Sequence, residues 1–402
     1  MAKGRLLVIG NGMAGLKCLE ELIAVAPQQF AITVVGREPE PAYNRVLLSP
    51  LLAGEITAAD ISMKPRDWYA QNGISLITGI GVQSLNTSAR SALLANGQVL
   101  AFDVCVLATG SEPVRLAVAG ANLAGVEVFR TTADIGRMTQ AASIGSSAVV
   151  IGGGLLGIEA AYGLTRAGAK VTLIHLMDRL MERQLDSAAA NILKSALEAR
   201  GITVFLNAST TRIAGTASVE ALHLTDGRIL AADLVVMAVG IKPLTQLANS
   251  AGILCGRGII VDDRMATSAP DIYAIGECAE HRGNVYGLVE PAHEQARVAA
   301  HAISGKNATY EGTVLATNLK VSGVPVFSAG DFLGDGAEAI TWLDESSGSY
   351  RKFVIKDGAL TGVVMIGDTT DALWYRDLIR TSQPITSFRS ALAFGRAYAE
   401  AA

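Results

Sequence analysis

Two glycine-rich loops stand out among the residues whose type and spacing could do chemistry. Gly10, Gly12 and Gly15 fill a G-x-G-x-x-G pattern, and Gly152, Gly154 and Gly157 fill it again. In such a loop the first glycine permits a tight turn and the second lets the backbone approach a pyrophosphate. The third lets a helix pack closely on a strand. The chemistry is anion binding, by free backbone N–H groups and the positive end of a helix dipole. Met13 and Ala14 complete the first loop, and Leu155 and Leu156 complete the second. One such loop is a weak signal. Two, each behind an apolar run and ahead of a helical stretch, imply two nucleotides.

An acid is expected about 20 residues past each loop, where it takes ribose hydroxyls. After the first loop the candidate is Gly36-Arg37-Glu38, with Glu38 the acid. After the second stands His175-Leu176-Met177, so the usual residue that selects NAD over NADP is missing, and Arg179 and Arg183 come only later. His175 reads equally as a nucleotide contact or a strand-end residue. Arg45 is either a phosphate contact, which suits a guanidinium, or a surface arginine. Ala108-Thr109-Gly110 closes a strand with small residues that let backbone pass close to a cofactor, which supports a flavin domain. Val239-Gly240 closes another strand in the same sense. Gly276-Glu277 offers a strand-end carboxylate that could accept from a flavin ribityl chain, and the helix opening near Leu288 could lie under its pyrimidine end. Cys18, Cys105, Cys255 and Cys278 are scattered, with no C-x-x-C, and read as reduced, mostly buried thiols. That spacing argues against a dithiol relay.

Residues 31–35, 102–107, 170–174 and 234–238 read as strands, as do the apolar runs before each loop. Residues 16–25 and 180–200 read as helices, 75–78 and 82–85 as short strands. From about Thr317 the tail alternates strand-like runs at 339–343, 351–355 and 362–366 with a helix-like 372–379, and Trp342 and Trp374 read as core. A chain of 402 residues implies two or three domains. A net charge of −4 with no basic block argues against a nucleic-acid partner. No apolar run is long enough for a bilayer, and Met1 leads almost directly into the first strand, so the expectation is a cytoplasmic protein without a membrane partner.

With these residues in view, the chain resembles the two-dinucleotide flavoprotein family of pyridine nucleotide-dependent reductases over essentially its whole length. Within it the chain looks most like the FAD/NAD(P)H module of assimilatory NAD(P)H-nitrite reductases and the electron-transfer subunits of assimilatory nitrate reductases. The likeness is carried by Pro41-Ala42-Tyr43-Asn44-Arg45-Val46-Leu47-Leu48-Ser49, by His175-Leu176-Met177 with Leu180-Met181-Glu182-Arg183-Gln184-Leu185-Asp186, and by Gly276-Glu277-Cys278-Ala279-Glu280-His281-Arg282-Gly283.

The resemblance implies an α/β fold of two Rossmann-like dinucleotide-binding domains, glutathione-reductase-like, plus a small α+β C-terminal domain. Residues 1–117 and 250–316 would bind FAD, 118–249 would bind NAD(P)H with NADH favoured, and 317–402 would form an interface domain. Gly10, Gly12, Met13, Ala14 and Gly15 would hold the FAD pyrophosphate; Ala108, Thr109 and Gly110 would pass near FAD; Gly276 and Glu277 would hold its ribityl arm. Gly152, Gly154, Leu155, Leu156 and Gly157 would bind the nicotinamide nucleotide, with Glu159 near the rings. Arg37, Glu38, Arg45, Ser49, Val82, Gly240 and Leu288 complete the expected cofactor-binding set. The family more often places its ribose acid where Arg37 stands, and related ferredoxin reductases often carry Lys where Pro50 stands.

Hydride would pass from NAD(P)H to FAD between stacked rings, which needs no protein nucleophile, so no catalytic side chain is expected. Electrons would leave to an Fe–S, rubredoxin-like, molybdenum or sirohaem partner. Longer nitrite reductases continue into Fe–S and sirohaem domains, so this chain is expected not to reduce nitrite by itself. Two alternatives stay open: a rubredoxin or ferredoxin reductase of another pathway, and a low-turnover, nucleotide-dependent flavoprotein binding module.

Overall fold

The computed structural model describes residues 3–142, 144–321 and 323–401. The chain forms two compact units, each assembled from several stretches of sequence. The first comprises residues 1–48, 57–112 and 241–313, and the second residues 49–56, 113–240 and 314–402.

The first unit is built on a five-stranded parallel sheet. Its order is Ile272–Ala274, Val104–Leu107, Gly4–Ile9, Phe30–Gly36, Ser75–Thr78. Leu6, Leu7, Val8 and Ile9 are all buried, as an unbroken apolar run in a sheet covered on both faces must be. The register sets Ile9 beside both Val35 and Leu107. The helix Met13–Val25 buries Leu16, Leu19 and Leu22 and packs along the helix Val289–Ile303. Each such leucine contributes roughly 1.5–3 kcal/mol of burial. The helix starts three residues before the sequence expectation because Gly12 is its N-cap.

The second unit repeats the pattern with the order Thr203–Phe205, Lys170–Ile174, Ser147–Ile151, Leu234–Met237, Val126–Val128. Ile151 pairs with both Ile174 and Met237, as Ile9 does with its two neighbours. The unit also carries a five-stranded antiparallel sheet, ordered Ala316–Val321, Val324–Gly330, Ala359–Ile366, Ser349–Lys356, Glu338–Asp344. The helix Ala372–Thr381 packs on it, setting Tyr375 and Leu378 in one core cluster with Phe327, Phe353 and Met365. Two Rossmann-like sheets and a smaller α+β portion are therefore present, as the family resemblance implied.

Two expectations need correction. Residues 180–185 are not helical: the helix is Ser187–Glu198, N-capped by Asp186, whose carboxylate accepts from the Ala189 N–H at 3.0 Å. Leu180, Met181 and Leu185 are buried at a helix-like spacing, but in a loop, with Met181 at φ +50°. Trp342 is not core. It is 37% exposed on the edge strand Glu338–Asp344, with the Arg351 guanidinium 5.8 Å from its ring centroid. Trp374 does pack, partly buried, against the core of the antiparallel portion.

Candidate nucleotide-binding sites

The two glycine loops have the same physical construction. In the first, Gly10 adopts φ +113° and donates its N–H to Val35 O at 2.8 Å. A Cβ there would lie 2.0 Å from Ala108 O, and one on Gly15 would lie 2.1 Å from Gly10 O. Both are backbone collisions, so only glycine fits. In the second loop Gly152 adopts φ +117° and donates to Ile174 O at 2.8 Å. Its Cβ would lie 2.3 Å from Ala238 O, and that of Gly157 would lie 1.8 Å from Gly152 O. The middle glycines differ from these. A Cβ on Gly12 or on Gly154 meets nothing within 4 Å. Each of these two is a helix N-cap with no side-chain capping bond. The first-turn N–H groups at Met13, Ala14 and Gly15, and at Leu155, Leu156 and Gly157, thus open a helix N-terminus onto clear space, a cradle that fits a pyrophosphate.

Around the first cradle the structure gathers most of the expected residues. Gly276 lies against Ala14, since its Cβ would sit 2.8 Å from Ala14 Cβ. The Gly276 N–H donates to the fully buried Gln295 Oε1 at 2.8 Å, and Gln295 Nε2 has no hydrogen-bond partner among the described residues. Leu288 is the N-cap of the same Gln295-bearing helix. Ser111 Oγ donates to Glu277 Oε2 at 2.5 Å. Thr109 Oγ1 donates to Leu244 O at 2.9 Å while the Leu244 N–H donates to Gly110 O at 2.9 Å, which fixes the Ala-Thr-Gly turn. Glu38 is half-buried; the Tyr43 hydroxyl donates to its Oε2 at 2.5 Å and Arg45 pairs with its Oε1. Arg45 also donates to the Tyr43 hydroxyl at 2.8 Å. Arg37 is exposed. Val82 heads the strand Val82–Asn86, shortly after Ile80, whose N–H donates to Gly36 O at 3.2 Å. Inside the loop, Asn11 Oδ1 accepts from the Tyr69 hydroxyl at 3.1 Å, and its buried Nδ2 lacks a partner among the described residues.

Ser49 belongs with the second cradle. It is buried, and its hydroxyl donates to Glu159 O at 3.2 Å. Leu52 follows it onto the same helix, where it fills the space beside Gly163. Glu159 lies in the first turns of the helix Leu155–Arg166, and its carboxyl has no hydrogen bond or ion pair among the described residues. Burial pushes its pKa up to about 7. Gly240, at φ +124°, follows Ala238 as Gly110 follows Ala108. His175 is buried and accepts the Gly153 N–H on Nδ1 at 2.9 Å.

Sequence reasoning missed Tyr43, Ser111, Gln295 and Asn11 as site members. Asn11, inside the loop itself, carried a signal. Tyr43 lies in the stretch 41–49 that carries the family likeness, whereas Ser111 and Gln295 come from elsewhere in the chain and gave none. Among the described residues no group of three or more His, Cys, Asp or Glu could hold a metal, and no helix is long and apolar enough to cross a membrane.

The family model described as pyridine nucleotide-disulphide oxidoreductase matches residues 4–299, and that described as rubredoxin NAD+ reductase C-terminal domain matches residues 316–383. The chain is 47% identical to the nitrite reductase [NAD(P)H] of Bacillus subtilis, over 92% of this chain and 46% of that protein. It is 44% identical to the assimilatory nitrate reductase electron transfer subunit of the same organism, over 92% of this chain and 48% of that one. The chain thus spans about half the length of these curated relatives. Among solved structures, NADH:rubredoxin oxidoreductase from Clostridium acetobutylicum matches at TM-score 0.80 and 27% identity, covering 98% of this chain and 99% of that one. The resemblance drawn from residues 41–49, 175–186 and 276–283 is borne out by these relatives.

Proposed function

We propose that this chain, which belongs to the pyridine nucleotide-disulphide oxidoreductase family, is an FAD-dependent NAD(P)H dehydrogenase that hands electrons to a redox partner of assimilatory nitrate or nitrite reduction. One observation carries the reading: the same glycine cradle occurs twice, each time with open space over its middle glycine. FAD is assigned to the cradle at Gly10–Gly15 and the nicotinamide nucleotide to the one at Gly152–Gly157. The FAD portion is residues 1–117 with 250–316, the nicotinamide portion 118–249, and 317–402 the partner-facing domain.

When bound, these groups supply hydride transfer and single-electron release. The residues of the chain hold and orient them. The N–H groups of residues 13–15 and 155–157 take the two pyrophosphates. Glu38, already fixed by Tyr43 and Arg45, keeps lone pairs for the ribose hydroxyls of FAD. Glu277, held by Ser111, receives the ribityl arm. Gly276 and the turn at 108–110 leave room for its passage, with Val82 and Leu288 at the margins. Glu159 holds a proton near neutrality beside the nicotinamide cradle and acts as a positioning residue. NADH is the favoured donor. The acceptor is a partner carrying an Fe–S, rubredoxin-like, molybdenum or sirohaem centre.

A second reading, a rubredoxin-type reductase of another pathway, is favoured by the match at residues 316–383. The test is to purify the protein, record a bound-flavin spectrum and follow NADH oxidation with ferricyanide, then with a nitrite- or nitrate-reductase partner and with rubredoxin. Turnover with the first kind of partner and not with rubredoxin supports the reading. A colourless protein that takes up no added FAD refutes it.

A further inference from the structure

The second cradle has no acid at the strand end, yet it holds one nearby. In the first unit the middle loop residue is Asn11, and it faces Gly36, the last residue of its strand: a Cβ on Gly36 would lie 3.2 Å from Asn11 Cβ. In the second unit the two roles are exchanged. The middle residue is Gly153, and a Cβ there would lie 2.7 Å from His175 Cγ and 2.6 Å from Leu180 Cδ2, so the imidazole and the leucine together fill the corresponding space. Because Nδ1 accepts the Gly153 N–H, the proton of the neutral ring sits on Nε2. That nitrogen is 3.0 Å from Glu182 Oε2.

Glu182 arrives there through the loop that the sequence reads as helix. The Met181 N–H donates to Gly153 O at 2.9 Å, so both backbone polar groups of Gly153 are held, one by His175 and one by the loop. Leu180, Met181 and Leu185 are fully buried and anchor the segment, and Asp186 starts the next helix. Glu182 itself remains partly exposed, with 24% of its side chain accessible. The other acid of the loop, Asp178, is exposed and paired with Arg179, which also donates to Leu185 O. Arg183 is exposed and makes no hydrogen bond or ion pair among the described residues.

We propose that Glu182, aligned by His175, is the ribose acid of the second nucleotide, accepting from the adenosine ribose hydroxyls and repelling a 2′-phosphate, so that the chain takes NADH over NADPH. The acid comes from the following loop rather than from the strand end, where such an acid is usually found. His175 is a positioning residue: it touches the loop and Glu182, and fixes where the carboxylate sits. This inference rests on the reading of Gly152–Gly157 as the nicotinamide nucleotide site.

The test is calorimetric titration of the flavin-loaded protein with NAD+ and with NADP+, alongside Glu182→Gln, Glu182→Ala and Arg183→Gln, with kcat/KM for NADH and NADPH as a second readout. The wild type is expected to bind NAD+ at least tenfold more tightly than NADP+. Both Glu182 variants should cut that ratio tenfold or more, weakening NAD+ while strengthening NADP+, and Arg183→Gln should leave it unchanged. The proposal is overturned if the wild type shows no preference for NAD+. It is overturned equally if the Glu182 variants, shown by melting curves to be folded, weaken both nucleotides alike, or if the ratio follows Arg183 instead. If the wild type binds neither nucleotide, the assignment of the cradle itself falls, a result distinct from a lost preference.

Discussion

Replacing Glu159 by Gln should stabilise the protein in a way that depends on pH. The carboxyl sits in the first turns of the helix Leu155–Arg166, without an ion pair or hydrogen bond among the described residues, and burial raises its pKa from 4.5 to about 7. A carboxyl raised in the folded state binds its proton more tightly there than in the unfolded chain. The stability this gives is complete below about pH 4.5 and is lost as pH rises through about 7. Above that pH the folded protein must hold a partly buried, desolvated carboxylate. At ~1.36 kcal/mol for each tenfold change in proton affinity, the cost is bounded by ~3 kcal/mol. Glutamine never ionises and avoids it. Each kcal/mol moves the melting point of a unit of this size by roughly 2–4 °C. Scanning calorimetry without added nicotinamide nucleotide should show the variant melting several degrees above wild type at pH 8, with the gap closing at pH 4.5. A gap of constant size across this range would refute the argument, because a packing effect does not titrate.

Gly15→Ala forces a Cβ onto Gly10 O, a collision worth roughly 1–3 kcal/mol or more, whereas Gly12→Ala points into open space and should cost less than ~1 kcal/mol. Urea unfolding should therefore separate the two, while flavin content should fall in both, since the Gly12 methyl would occupy the space proposed for the pyrophosphate. Gly154→Ala should likewise fold normally but bind NAD+ more weakly, and unchanged affinity by calorimetry would count against the second cradle. Ser111→Ala removes a hydrogen bond to a carboxylate worth roughly 1.5–3 kcal/mol. FAD affinity, followed by flavin fluorescence, should drop by about tenfold or more, and an unchanged affinity would show that Glu277 does not depend on that hydroxyl.

What the sequence made legible was whatever the backbone itself demands. Gly10, Gly15, Gly152 and Gly157 are readable because any side chain at these positions would strike a carbonyl. The sheet strands are readable because parallel strands covered on both faces leave unbroken apolar runs. Side-chain arrangements built from distant stretches were not readable. Ser111 meets Glu277 across 166 residues, and Gln295 reaches back to Gly276 from the next helix. The segment 180–185 was misread because Leu180, Met181 and Leu185 have helical spacing; they are buried by folding back on Gly153 instead. Asp186, a good N-cap, was the available clue that the helix starts after it. Trp342 was misread because a tryptophan in a strand-like run is usually packed, and nothing local reveals that its strand lies at a sheet edge.

The central claim is that one chain holds both a flavin and the nucleotide that reduces it. Anaerobic stopped-flow mixing of the flavin-loaded protein with NADH tests this most directly. The account predicts rapid, saturable bleaching of bound flavin, lost in Gly154→Ala at low NADH and regained at high NADH. A flavin that binds yet stays oxidised at every NADH concentration would contradict it.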